Sequence, residues 1–271
     1  MIDIHKPVNH YLHQWKLLTA EGAESAATIH SIMSHTAGIV DGENGFYGLR
    51  RNDPDVSLMD ILEGRTSYNN RRVRAEKPQG TAFEYSDAGY CVLQLLVQEM
   101  THKAFEIAVK ELIFDRLHLE HTFYASCDNL AYYEGRNTMA TGYDGEGLPI
   151  PGNFPACPDL AGAGLWSTPK ELLLIAREFL EALKGKSVFL QENSAKAMRT
   201  PIEQFPWAGL GIFLNGDDTL MTQGWGENGQ CMMKIHCCTE QISVVMTNRN
   251  PEMGQDESGI EWLVDKNLQS T

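Results

Sequence analysis

The clearest periodicity in the chain runs from residue 89 to residue 101. In "GYCVLQLLVQEMT" the apolar residues Val92, Leu93, Leu96, Val97 and Met100 recur at three- and four-residue spacing. That pattern predicts a buried amphipathic helix with these five on its inner face. The helix is approached through "EKPQGTAFEYS", where Pro78 and Gly80 interrupt any regular element. A second helical pattern, "AFEIAVKELIFDRL", stops before "HLEHTF". Upstream, "TIHSIMSHTAGI" predicts a short helix with Thr28 as N-cap, Ile29, Ile32 and Met33 at helical spacing, and Gly38 as its stop. Residues 39–80 are polar and rich in Gly, Asn and Arg, with one short helical piece at "SLMDILEG".

Residues 125–165 are loop-rich and lead into "AGAGLWSTPKELLLIAREFLEAL". Thr168 as N-cap, Pro169 at the first helical position and Glu171 at the third predict a capping box. After residue 205 the period changes. "WAGLGIFL", "TLMTQGW", "GQCMMKIHCC" and "QISVVMTN" are short apolar runs separated by the turn-forming "NGDD", "GEN" and "TEQ". They predict an antiparallel meander, and "GIEWLVDKNL" closes the chain as a helix. Helices first, then adjacent hairpins and a last helix, predict an α+β fold rather than a parallel α/β fold. We expect one domain over residues 1–271, with a mainly helical lobe to residue 165 and a sheet lobe with flanking helices from residue 166.

Composition narrows the function classes. The chain has 271 residues, with 22 Lys plus Arg against 36 Asp plus Glu, for a net charge of −14. There is no basic field for a phosphate backbone or an anionic membrane surface. No apolar run is long enough to span a bilayer, and "MIDIHKPVNHYLHQWKLL" has no signal-peptide pattern. The six cysteines, Cys91, Cys127, Cys157, Cys231, Cys237 and Cys238, have no metal-type spacing. They read as reduced thiols, and the expected location is the cytoplasm. Cys237 and Cys238 are expected on opposite faces of a strand. His118 and His121 lack a third ligand, and His5, His10 and His13 read as solvated, so no metal or other cofactor is expected.

"EYSDAGY" raises the chemical question. Ser86 or Asp87 could merely cap the helix while Tyr85 packs, or the three could edge an active site. The ordered strings "SHTAGI", "FEYSDAGY", "GLWSTPKEL", "GLGIFL" and "SVVMTN" decide for the second. Together they resemble the serine β-lactamase and D,D-peptidase-like family, which takes in class C β-lactamases, penicillin-binding proteins and related esterases. The resemblance implies that family's β-lactamase/transpeptidase-like fold, a helical lobe packed on an antiparallel sheet, and acyl transfer from β-lactams, D-Ala peptides or esters. It makes Tyr85 the proton relay and Asp87 the residue standing where Asn is most familiar.

Two departures follow from the same resemblance. Counting back from Gly229, the substrate-holding cation of the family's Lys-Thr-Gly or His-x-Gly falls on Gln223, followed by Gly224 and Trp225. Gln223 offers hydrogen bonds but no charge, and Trp225 offers a face for stacking. The family's Ser-x-x-Lys precedes a segment like "HKPVNHYL", which spans residues 5–12 here. The nucleophile helix and its strands are therefore expected upstream of Met1, where a signal peptide could also lie. Ser167 and Lys170 do form a Ser-x-x-Lys, but Pro169 at the helix start separates them and capping explains both. The expectation is a serine hydrolase homologue that is inactive or crippled as this chain and would take a small acyl substrate or ligand, or else a non-catalytic scaffold or relative that binds a ligand or partner. An uncovered sheet edge would favour self-association.

Overall fold

The computed structural model describes residues 2–42, 45–46, 56–125, 129–135, 138–155, 157–216 and 218–269. Cys127 lies outside the described residues. Among them, a 3-10 turn at Val8–His10 precedes β1 (Leu18–Thr19), α1 (Ile29–Met33), α2 (Leu58–Leu62) and β2 (Arg74–Ala75). Then come α3 (Asp87–Thr101), α4 (Phe105–Val109), a π-helical turn at Lys110–Phe114, β3 (Phe123–Tyr124), α5 (Leu130–Gly135), α6 (Leu160–Ala163) and β4 (Leu165–Trp166). The chain continues through α7 (Pro169–Leu183), α8 (Glu192–Met198), β5 (Phe213–Leu214), β6 (Thr219–Gly226), β7 (Gly229–His236), β8 (Gln241–Met246) and α9 (Ile260–Gln269).

The meander is present as a four-stranded antiparallel sheet in the order β5-β6-β7-β8. Its β7 shows how the alternation of a strand sorts side chains between two helical layers. Met232 packs with Ile260 and Val264 of α9 on one face. Ile235 points the other way, into the layer of Ala176, Phe179 and Leu180 from α7. Lys234, only 3% exposed, shares the face of Met232 and donates to Glu261 (2.9 Å) and Asp265 (2.7 Å) of α9. The sheet is thus covered on both faces by helices. A second core gathers Val8, Leu12, Leu17, Ile32, Ile61, Val92 and Leu96 around α1, α2 and α3.

Several local expectations are corrected. The inner face of α3 is Cys91, Val92, Leu95, Leu96 and Glu99, while Met100 is exposed. Glu99 is drawn inward because its carboxylate accepts from the backbone amides of His13 (2.6 Å) and Gln14 (2.9 Å). Helix α1 ends at Met33, not at Gly38, because His35 adopts a left-handed backbone (φ 56°). Gly38 serves a different purpose: a Cβ there would lie 2.0 Å from the Lys77 carbonyl. "AFEIAVKELIFDRL" is α-helical only to Val109 and then widens into the π turn.

The capping box of α7 is half closed. Thr168 accepts from the Glu171 amide (3.3 Å). The Glu171 carboxylate, however, turns to the amides of Glu120 (2.9 Å) and His121 (3.0 Å) and to the Thr122 hydroxyl (2.6 Å). It joins α7 to the loop before β3 instead of closing on its own helix. Cys237 and Cys238 sit in the turn after β7 rather than in a strand, with Cys237 against the sheet core and Cys238 exposed. All five described cysteines are free thiols. Among the described residues no helix is long and apolar enough to cross a membrane.

Candidate active site

Helix α3 begins at a hydrogen-bonded hub. Ser86 is its N-cap, accepting from the Gly89 amide (3.0 Å) and donating to the Asp41 carboxylate (2.7 Å). Asp41 also accepts from the amides of Asp87 (2.8 Å) and Ala88 (3.1 Å). A carboxylate on the first-turn amides satisfies orphan donors and opposes the positive end of the helix dipole. Ser86 therefore caps the helix, and Tyr85 and Asp87 on either side of it line a cleft.

The left-handed backbone at His35 turns its imidazole between two tyrosines. The ring stacks on Tyr85 at 4.4 Å and on Tyr90 at 5.1 Å, and its Nδ1 accepts from the Ser86 amide (3.1 Å). Burial pushes the His35 pKa down to about 4, so the ring is neutral at pH 7, with its proton on Nε2. Tyr85 is held face-on by this ring yet remains 55% exposed. The Tyr90 hydroxyl donates to the Met33 carbonyl (3.2 Å), which also accepts from the Gly211 amide (2.9 Å). That carbonyl ties α1 and α3 to the segment leading into β5.

Tyr85, Asp87 and Gln223 line one cleft of about 160 Å³, partly open to solvent, with Met33, Phe83, Phe213 and Met221 among its walls. Gly224 and Trp225 are not on that lining. They continue along β6, where the Gly224 carbonyl accepts from Gln255 (2.9 Å) and the Trp225 indole donates to Asn250 (3.0 Å). Beside the cleft, Phe83 packs against Phe205, Trp207 and Phe213 with ring centroids 6.2–6.3 Å apart.

Two carboxyls here have raised pKa values, Asp87 on the cleft wall and Asp159 behind it. Burial, and then the charge of Asp41, lift the Asp87 pKa to about 6. Asp159 is 0% exposed, and its pKa is pushed up to about 7, mainly by burial. One Asp159 oxygen accepts from the Tyr68 hydroxyl (2.6 Å), while the other has no partner among the described residues. Both acids converge on Gly162, where a Cβ would lie 3.1 Å from Asp159 Oδ2 and 3.4 Å from Asp87 Oδ1. No three His, Cys, Asp or Glu side chains among the described residues converge on a metal-sized site.

Sequence reasoning missed His35, Asp41, Asp159 and the aromatic wall. His35 was within reach, since it belongs to "SHTAGI". Asp41 and Asp159 lie in loops, and nothing in their neighbours announces a distant helix end.

Helices packed on both faces of an antiparallel sheet, with a cleft between the start of α3 and β6, make up a fold of the β-lactamase/transpeptidase type. A family model described as Beta-lactamase matches residues 1–266, and the chain belongs to that family. Esterase EstB of Burkholderia gladioli is 25% identical over 245 residues, which is 81% of this chain and 57% of that protein. The D-amino acid amidase from Ochrobactrum anthropi SV3 superposes with a TM-score of 0.77 at 16% identity, covering 100% of this chain and 79% of that one. A penicillin binding protein from Bacillus halodurans gives 0.70 at 19% identity, covering 97% and 79%. The chain spans 57% of the length of EstB and less than a third of the next curated relatives.

Proposed function

We propose that the cleft is the acyl-binding site of a β-lactamase-family serine hydrolase, and that this chain by itself forms no acyl-serine. The composition of the cleft wall carries the reading. Tyr85 presents its phenol there, but Ser34, the serine on that wall among the described residues, is 1% exposed. Its hydroxyl is engaged by the His30 carbonyl (2.9 Å) and Thr36 Oγ1 (3.0 Å). Ser86 is buried and occupied by capping. The Ser167 hydroxyl pairs with Thr122 (2.8 Å), and Lys170 already belongs to the first turn of α7. None of the three is an accessible hydroxyl beside a base, which is what nucleophilic catalysis requires.

The strand position of the family's cation is held by an uncharged residue, Gln223, which supports the same reading. Loss of an activated nucleophile costs several orders of magnitude in rate, with oxyanion donors leaving a small remainder. The relatives, an esterase, an amidase and a penicillin binding protein, support an ester, amide or lactam as the ligand class. The free thiols support a cytoplasmic location.

The test is incubation of the folded chain with a fluorophosphonate and, separately, with a penicillin, followed by intact mass and adduct mapping. No adduct is expected with either reagent. A stoichiometric adduct on any serine would overturn the reading, and its position would name the nucleophile. The same sample tests self-association. Strand β8 pairs only with β7 among the described strands, and an open edge of six residues is a template for a second copy. Sedimentation velocity should show a concentration-dependent dimer, and a clean monomer at every concentration would exclude it.

A further inference from the structure

The charge of the cleft has a consequence for what it can hold. Among the described lining residues there is no Lys or Arg, and the imidazole of His35 is neutral. The strand side offers Gln223, an amide. The helix side offers the Asp87 carboxyl, on the cleft wall. Asp159 adds a second carboxyl behind Gly162, fully buried and with one oxygen unpartnered among the described residues. The chain as a whole carries a charge of −14. A ligand carboxylate entering here would lose hydration and meet like charge, with no cation among the described lining residues to offset either cost. An ammonium group would meet the Asp87 carboxyl on the cleft wall, and its positive charge would favour the ionised form of that acid. Next to this polar end lies the aromatic wall of Phe83, with the half-exposed Trp207 beside it. That wall supplies apolar area and ring faces for an aryl or branched alkyl group.

We propose that the cleft selects compounds carrying an aromatic or branched apolar group together with a primary ammonium, and discriminates against carboxylates of the same shape. This rests on the reading of the cleft as an acyl-binding site and narrows its ligand class. It sets the chain apart from a site that holds a substrate carboxylate with a strand cation.

The experiment uses three probes of matched shape: phenylpropylamine, hydrocinnamamide and hydrocinnamate. Each is titrated into the full chain at pH 7 and low salt by calorimetry, with amide chemical shifts to locate binding. Phenylpropylamine should bind at least about tenfold tighter than hydrocinnamate, a difference of about 1.4 kcal/mol, with hydrocinnamamide between them. Gln223 is exposed on β6, so Gln223→Lys should fold and should bring hydrocinnamate to at least the affinity of the amine. Trp207→Ala should weaken all three probes together. Equal binding of amine and carboxylate, preference for the carboxylate, or no binding of any probe at millimolar concentration would overturn the proposal. The covalent-adduct experiment reads chemistry at a serine, whereas these titrations read charge in the cleft. A serine adduct with charge preference intact would sink only the acyl-serine reading. An absent preference without an adduct would sink only this one.

Discussion

The two walls of the cleft are built in different ways. On the α3 side, Ser86, Asp41 and His35 bond across 45 to 51 residues of sequence, and most of their polar groups are paired. On the β6 side, β5 pairs only with Leu220 and Met221, so Thr222–Gly226 keep a single partner strand, β7. Gln223, Gly224 and Trp225 are exposed there. The first wall is a network in which each member fixes another, so removing one strands the rest. The second is a backbone rail whose side chains are supported by little besides the strand. Positioning therefore belongs to the α3 side, and ligand preference can change on the β6 side at low cost to the fold.

The largest test of this contrast is pH. Asp87 and Asp159 keep their protons in the folded chain to about pH 6 and 7, whereas unfolded carboxyls release theirs near 4. Between these values the folded state binds more protons than the unfolded state, so stability falls as pH rises. Their stabilising contribution is fully present below pH 4 and is lost through pH 6 to 7. Denaturant titrations at pH 4.5 and pH 7.5 should differ by an amount on the order of 3 kcal/mol from Asp159 alone, whose shift spans about three pKa units. Asp159→Asn, which keeps an acceptor for Tyr68, should flatten that slope. A slope unchanged in the variant would mean that the buried acids are not its source.

A smaller effect is expected from Asp41→Ala. It removes three hydrogen bonds at the start of α3 and should cost about 2–3 kcal/mol by denaturant unfolding at pH 7. It also removes a negative neighbour of Asp87, so the Asp87 pKa should fall, which carboxyl carbon shifts in an NMR titration would read. The smallest effect belongs to the rail. Trp225→Ala loses one exposed hydrogen bond and should change stability by no more than about 0.5 kcal/mol. Hydrocinnamamide affinity should be unchanged. A drop of 2 kcal/mol or more would show that the β6 wall is as interdependent as its opposite.

What could be read early is what local chemistry determines. Thr28, Ser86 and Thr168 cap the helices that their side chains suit, and the turn residues between the last apolar runs give the meander of β5 to β8. Periodicity also found α3, but it misassigned that helix's inner face. Cys91, Leu95 and Glu99 were left off that face and Met100 was put on it; for Glu99 the reason is that a hydropathy pattern cannot know that a carboxylate will find two backbone amides 85 and 86 residues away. The half-closed box at Glu171 failed for the same reason: a distant pair of amides outcompeted the local one. Among the candidate site residues, "EYSD" and Gln223 could be located by the order of their motifs. The grouping of Tyr85, Asp87 and Gln223 in one cleft, without Gly224 and Trp225, depended on the course of β6.

The sequence by itself determined the α+β order, the caps, the absence of a basic surface and the presence of an uncharged side chain at Gln223. Each of these is a property of residue type or of neighbours within a few positions. The tertiary structure alone decided that His35 stacks on Tyr85, that Asp41 serves a helix 45 residues away, and that Asp87 and Asp159 converge on Gly162. Those outcomes turn on which buried polar groups find partners once water is excluded, and the partners come from segments that are far apart in the chain.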